Sequence, residues 1–266
     1  MRKDIRDRLI AMADEKYRDF SKSLIPDSKP LLGVRLPMLR AMAKEIVKAG
    51  DWESTFAENE YFEEVMLEAM VTGYGCSREN NLEKAKLMLD RLVPQVDNWS
   101  VCDSLCVSYT ICEKFPEEMY RHIEKYIYSD KEFEVRVGLI LLLNHYVRID
   151  GQGKKISRKR SVTLADMGID KDSADSGSSL GKYTKTILEA LNRPFVQGYY
   201  AQMAAAWLLA ECFVTFPKTA YEFLNGDNKL DDFTYNKALQ KICESRIPED
   251  EVKNIIRGMK RKSAGK

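Results

Sequence analysis

Three places in the sequence put side chains capable of chemistry where an ordinary helix face would not. Trp99 and Asp103 stand four residues apart in Val96-Asp97-Asn98-Trp99-Ser100-Val101-Cys102-Asp103-Ser104-Leu105. Residues at that spacing share a helix face, so an indole and a carboxylate can address the same object. A start capped at Asp97 or Asn98 places Asp103 beyond the first turn, where it is not a capping group. The alternative fate of Asp103 is a solvated or salt-bridged helix aspartate. Arg136 interrupts the apolar run Phe133 to Leu143. A guanidinium there needs a carboxylate or another anion, and phosphate suits its planar fork. An internal salt bridge would satisfy it equally well. Trp207 follows three alanines, Ala204, Ala205 and Ala206. Small neighbours let a ligand approach the indole, although a core tryptophan reads the same way.

These residues need helices to hold them, and the sequence supplies little else. Glycine and proline are sparse, and apolar residues recur at helical spacing almost throughout. The stripes run from Ile5 to Tyr17, Met38 to Ile46, Tyr61 to Tyr74, Leu82 to Leu92, Trp99 to Phe115 and Met119 to Ile127. They continue over Phe133–Val147, Tyr183–Leu191, Val196–Phe216, Ala220–Leu224, Thr234–Ser245 and Glu249–Met259. No stretch alternates with period two, so no sheet is expected. Phe115-Pro116 with Phe133, and Phe216-Pro217 with Phe233, form a weak internal repeat that suits stacked helix pairs. The expected fold is all-α, an array of antiparallel helix pairs making one domain over residues 1–266.

One segment breaks the pattern. From about 149 to 181 the sequence turns polar, first with the cations Lys154, Lys155, Arg158, Lys159 and Arg160, then acidic and serine-rich. It reads as a surface loop insertion that adds nothing to the core and whose cations could meet a phosphate backbone.

The remaining composition narrows the classes. Basic and acidic residues nearly cancel, at net +1. That argues against a uniformly basic nucleic-acid binder and leaves room for a basic stripe offset by acids elsewhere. The six cysteines contain no Cys-x-x-Cys pair and read as small core residues. His122 and His145 have no ligands at metal-binding spacing, so no metal is expected. The charged opening and the short apolar runs suggest neither a signal peptide nor a membrane span, and the expected compartment is a reduced cytoplasm.

Taken together, the Trp99-x3-Asp103 pair, Arg136 one helix pair later and Trp207 on an alanine-rich helix resemble the AlkD-like DNA alkylation repair glycosylases. Those proteins are built from HEAT-like helical repeats. Leu31-Leu32-Gly33-Val34-Arg35-Leu36-Pro37-Met38-Leu39-Arg40 is similar to that family's early signature, and Leu230 to Leu239 to its final repeats. The resemblance spans nearly the whole chain. It implies excision of cationic N-alkylated purines, such as 3-methyladenine and 7-methylguanine, from double-stranded DNA by a monomer without cofactor or metal. By the same match, Asp103 is the catalytic carboxylate, facing the deoxyribose, while Trp99, Trp207 and Arg136 position the nucleotide. All four are expected to converge on one concave cleft. Arg35, Arg40, Lys154, Lys155, Arg158 and Arg160 are the expected DNA contacts. Met203 and Ala210 stand where the family carries a lysine and an arginine beside the second tryptophan. The competing reading is a non-catalytic helical-repeat module that binds DNA structure or a protein partner.

Overall fold

The computed structural model describes residues 2–25, 29–55, 58–169 and 181–262. Among them the chain forms 13 α-helices and no strand, with two isolated bridges, Ile149 to Lys155 and Val162 to Pro248. The helices are α1 (Arg2–Ala11), α2 (Glu15–Leu24), α3 (Leu36–Ala49), α4 (Phe62–Glu79), α5 (Leu82–Leu92), α6 (Trp99–Ser108) and α7 (Pro116–Ile127). They continue as α8 (Glu132–His145), α9 (Thr184–Leu191), α10 (Tyr199–Thr215), α11 (Pro217–Asn225), α12 (Asp232–Glu244) and α13 (Asp250–Gly258). The all-helical reading of the sequence is therefore correct. The chain divides into two compact units, residues 1–123 and 124–266.

In the first unit α4 is the central helix, packed by α3, α5 and α6. Small residues let it be approached closely. Gly73 lies against Ser108 at the end of α6, and Gly75 lies against the Trp52 ring. Its N-terminal carboxylates are buried. Glu63 accepts from the backbone N–H groups of Leu32, Gly33 and Val34 at 2.9, 2.7 and 3.2 Å. That cradle requires Gly33, at φ +87°, where a Cβ would collide with the Asp14 carbonyl oxygen. Burial tends to raise the Glu64 pKa, but the Arg6 guanidinium and the N–H groups of Tyr61 and Glu60 outweigh it and hold the carboxyl below its ordinary range.

In the second unit α10 is central, packed by α8, α12, α9 and α11. Both Phe-Pro junctions open helices as expected, α7 at Pro116 and α11 at Pro217, because proline lacks only an N–H that a first turn leaves unbonded. Phe133 and Phe233 are each the second residue of the next long helix, α8 and α12.

Three apolar stripes are interrupted. Ile5–Tyr17 splits between α1 and α2, where Asp14 caps α2 in extended conformation. Trp99–Phe115 breaks at Tyr109, which leaves helical geometry at φ −82° and ψ 49° before a short 3-10 turn over Thr110–Glu113. The Tyr109 hydroxyl instead reaches the Ala85 carbonyl at 2.5 Å, which fixes the break. Val196 is not helical, and α10 starts after Gly198, whose φ of +148° leaves the space that the Glu132 carboxylate fills.

The polar insertion departs further from expectation. Val162 is fully buried and Met167 is 2% exposed, so the segment does contribute to the core. The backbone of Val162 is bonded on both sides, its N–H to the Ile247 carbonyl and its carbonyl to the Glu249 N–H, each at 3.0 Å. Isolated apolar residues in a polar stretch have no periodicity, which is why the sequence hides this role. Its acidic, serine-rich part, residues 170–180, lies outside the described residues.

Candidate active site

In the first unit, α6 presents the Trp99–Asp103 pair. Asn98 caps the helix, its side chain accepting from the Val101 N–H at 3.0 Å. The helix therefore starts at Trp99, and Asp103 lies one full turn in. Both side chains are half-buried. The opposite face is core, with Val101, Leu105 and Ser108 buried, and the flanking Cys102 and Cys106 are fully buried as well. Burial beside Cys102 pushes the Cys106 thiol well up, so it is an inert core group.

Trp99 does not stand alone. It shares a cleft of about 140 Å³ with Tyr17, Phe20 and Leu24 of α2 and Met66 of α4. The indole N–H donates to the Leu24 carbonyl at 3.4 Å, and the Tyr17 and Phe20 rings lie 6.3 Å apart. α2 buries no residue fully, and Phe20 remains 60% exposed. An aromatic edge so open is unusual for a helix that only fills a core. The amphipathic Tyr17, Phe20, Leu24 spacing carried this signal in the sequence, but its partner, Trp99, is too distant in sequence to pair with it by pattern.

Arg35 sits at the edge of the same region. Its guanidinium lies 4.8 Å from the Tyr17 ring centre and pairs with Asp14 at 2.9 Å, while its side chain stays 58% exposed. The Tyr17 N–H and Arg35 together hold the Asp14 carboxyl below its ordinary range. Arg40 lies one turn into α3 and is half-buried.

In the second unit, Arg136 is buried on α8, 5% exposed, and donates to the Tyr200 carbonyl at 3.1 Å. Glu132, one turn earlier, accepts from the Tyr200 N–H at 2.6 Å. The first turns of α8 and α10 are thus tied at both polar groups of one residue. Trp207, two turns further along α10, is 38% exposed and lines a depression with Arg158 and Lys241. Met203 is half-buried and Ala210 buried on the same helix.

The insertion cations divide into two kinds. Lys154, Lys155 and Arg160 are exposed. Arg158 instead forks onto Glu211 with two bonds of 3.1 Å, and Arg148 lies 3.9 Å from the same carboxylate. Glu211 is 6% exposed, so this fork anchors the insertion to α10 four residues after Trp207.

Among the described residues no group of histidine, cysteine, aspartate and glutamate could hold a metal ion, and no helix is long and apolar enough to cross a membrane.

Fold and side chains together define an all-helical protein whose first unit offers an indole and a carboxylate on one accessible helix face, and each unit carries further aromatics and guanidinium groups. A family model described as DNA alkylation repair enzyme matches residues 5–175, more than half of the chain, and the protein belongs to that family. The matched stretch contains Trp99, Asp103, Arg136 and all six expected DNA-contacting cations; Trp207 lies beyond it. A comparison with curated proteins gave no match.

Proposed function

We propose that the protein is a monofunctional DNA glycosylase that excises cationic N-alkylated purines, 3-methyladenine and 7-methylguanine in type, from double-stranded DNA. The observation that carries this reading is the capped start of α6, which sets Trp99 and Asp103 one turn apart on an accessible face. Membership of a DNA alkylation repair enzyme family supports it.

An N-alkylated purine is already positively charged, so it departs as a neutral base and needs no general acid. As the glycosidic bond lengthens, positive charge builds on the sugar. Asp103, acting as its carboxylate, stabilises that charge and orients the attacking water, whose oxygen bonds to the anomeric carbon as a proton is released. The products are the free base and an abasic site. The electron-rich face of Trp99 favours the same cation, and Trp207 and Arg136 are the second unit's residues for positioning the nucleotide. Arg35, Arg40, Lys154, Lys155, Arg158 and Arg160 contact the DNA backbone. The protein works as a monomeric HEAT-like repeat without a cofactor.

The deciding experiment is release of methylated purines from methylated duplex DNA by the purified protein. A second reading, a non-catalytic module that binds DNA structure, is favoured by Met203 and Ala210, which leave α10 without cations beside Trp207. Retained duplex binding with no base release from any cationic lesion would establish that second reading.

A further inference from the structure

The second unit carries an aromatic track that the excision chemistry leaves unused. Phe133 lies 5.2 Å from Tyr200, Tyr200 lies 5.4 Å from Tyr199, and Tyr199 lies 6.0 Å from Phe233, centre to centre. The rings come from the first turns of α8, α10 and α12. The far end is open: Tyr199 is 54% and Phe233 39% exposed. Four rings in sequence, with two accessible, exceed what a helix packing needs.

Phe233 also opens a groove of about 570 Å³ between α12 and α13. Its floor is apolar, with Leu239 and Ile256, and its rims carry Lys237, Arg257 and Lys260 and no acidic residue. Lys237 lies 5.7 Å from the Phe233 ring centre and donates to Gln240 at 3.0 Å. Arg257 donates to Asn254 at 2.7 Å. Among the described residues none of these three cations forms an ion pair, although many of the chain's other cations do. Unpaired cations along a groove, opening onto accessible aromatic faces, complement a ligand with regularly spaced anions and flat rings.

We propose that this face binds an unpaired nucleic-acid strand, its phosphates on Lys237, Arg257 and Lys260 and its bases stacked on Phe233 and Tyr199. A single strand fits better than a duplex, because ring stacking needs bases released from their pairs. It fits better than an acidic peptide, because the accessible apolar surface is aromatic rather than aliphatic. The proposal does not rest on the base-release reading.

The test is fluorescence anisotropy on the full chain, with a fluorescein-labelled dT12 strand and the matching duplex as probes. The parent binds dT12. Phe233→Ala weakens that binding on the order of tenfold and leaves duplex binding unchanged. Phe233→Leu weakens dT12 binding comparably, since it restores apolar bulk without a stacking face. The triple change Lys237→Gln, Arg257→Gln, Lys260→Gln lowers the log–log salt slope by about 2, at roughly 0.7 per phosphate of a single strand. Unchanged unfolding midpoints in these variants show that the fold is intact. No dT12 binding by the parent, parent-like dT12 binding by the leucine variant, or equal losses for duplex and strand overturns the proposal. Displacement of dT12 by a polyglutamate peptide at equal concentration overturns it in favour of an acidic protein partner. Asp103→Asn keeps full dT12 binding, so failure of the glycosylase reading and failure of this one are distinguishable.

Discussion

At the scale of single residues, Asp103 is the side chain on which the proposed reaction depends. Asp103→Asn keeps size and hydrogen-bonding capacity and removes the charge. If the carboxylate acts on charge developing at the sugar, single-turnover base release slows by on the order of 100-fold or more, with duplex affinity nearly unchanged. Equal rates in parent and variant remove Asp103 from the mechanism. Trp99→Ala behaves differently. The indole fills a cleft with Tyr17 and Phe20 and bonds the Leu24 carbonyl, so its loss weakens binding and rate together, because it positions substrate in the ground state as well. The Trp99–Asp103 pair was legible in the sequence because four-residue spacing translates directly into a shared face; the sequence offered Asp97 or Asn98 as the cap, and Asn98 takes that place. The bonds that hold Arg136 were not. Its known acceptor is the backbone carbonyl of Tyr200, 64 residues away, and a carbonyl oxygen leaves no trace in residue identity.

At the scale of elements, two segments position the candidate site in ways that mutation can expose. Gly33 lets the chain entering α3 pass against α2 while its N–H bonds the buried Glu63. Gly33→Ala adds a Cβ at φ +87° into the Asp14 carbonyl, so it should cost at least about 3 kcal/mol, combining left-handed strain with a backbone clash. Chemical denaturation measures this directly, and a change below about 1 kcal/mol would show that the turn relaxes freely. The insertion makes the second case. Its sequence reads as a solvated loop, and Lys154, Lys155 and Arg160 are indeed exposed. Val162 and Met167 nevertheless enter the core, and Arg158 locks onto Glu211. Helical stripes repeat every few residues and survive reading one residue at a time. A loop held by isolated apolar residues, backbone bonds and ion pairs has no period to read. Val162→Ala should therefore destabilise the protein by roughly 1–3 kcal/mol, through lost burial and the cavity left behind.

At the scale of the whole molecule, charge is balanced in total and organised locally. Carboxylates held below their ordinary range occur in both units: Asp14 and Glu64 in one, Glu134 and Asp166 in the other. Each binds a proton less readily folded than unfolded, so its contribution is complete above the unfolded value, near pH 4, and is lost as pH falls through the lower folded value. The melting temperature should stay level from pH 7 to 5 and fall below about pH 4. The same balance governs DNA binding. A net charge of +1 creates almost no long-range attraction for a polyanion. Duplex affinity must then come from cations that touch phosphates, and each direct contact contributes roughly 0.9 to the log–log salt slope. Arg158 is committed to Glu211, and Lys154, Lys155 and Arg160 are further exposed cations of the insertion. Replacing those three together by alanine should flatten the slope for duplex DNA by up to about 3. Arg158→Ala should flatten it less and should lower the melting temperature more, because it leaves the buried Glu211 with Arg148 alone at 3.9 Å. An unchanged slope in the triple variant would place the duplex on other cations, with Arg35 and Arg40 of the first unit the next to replace.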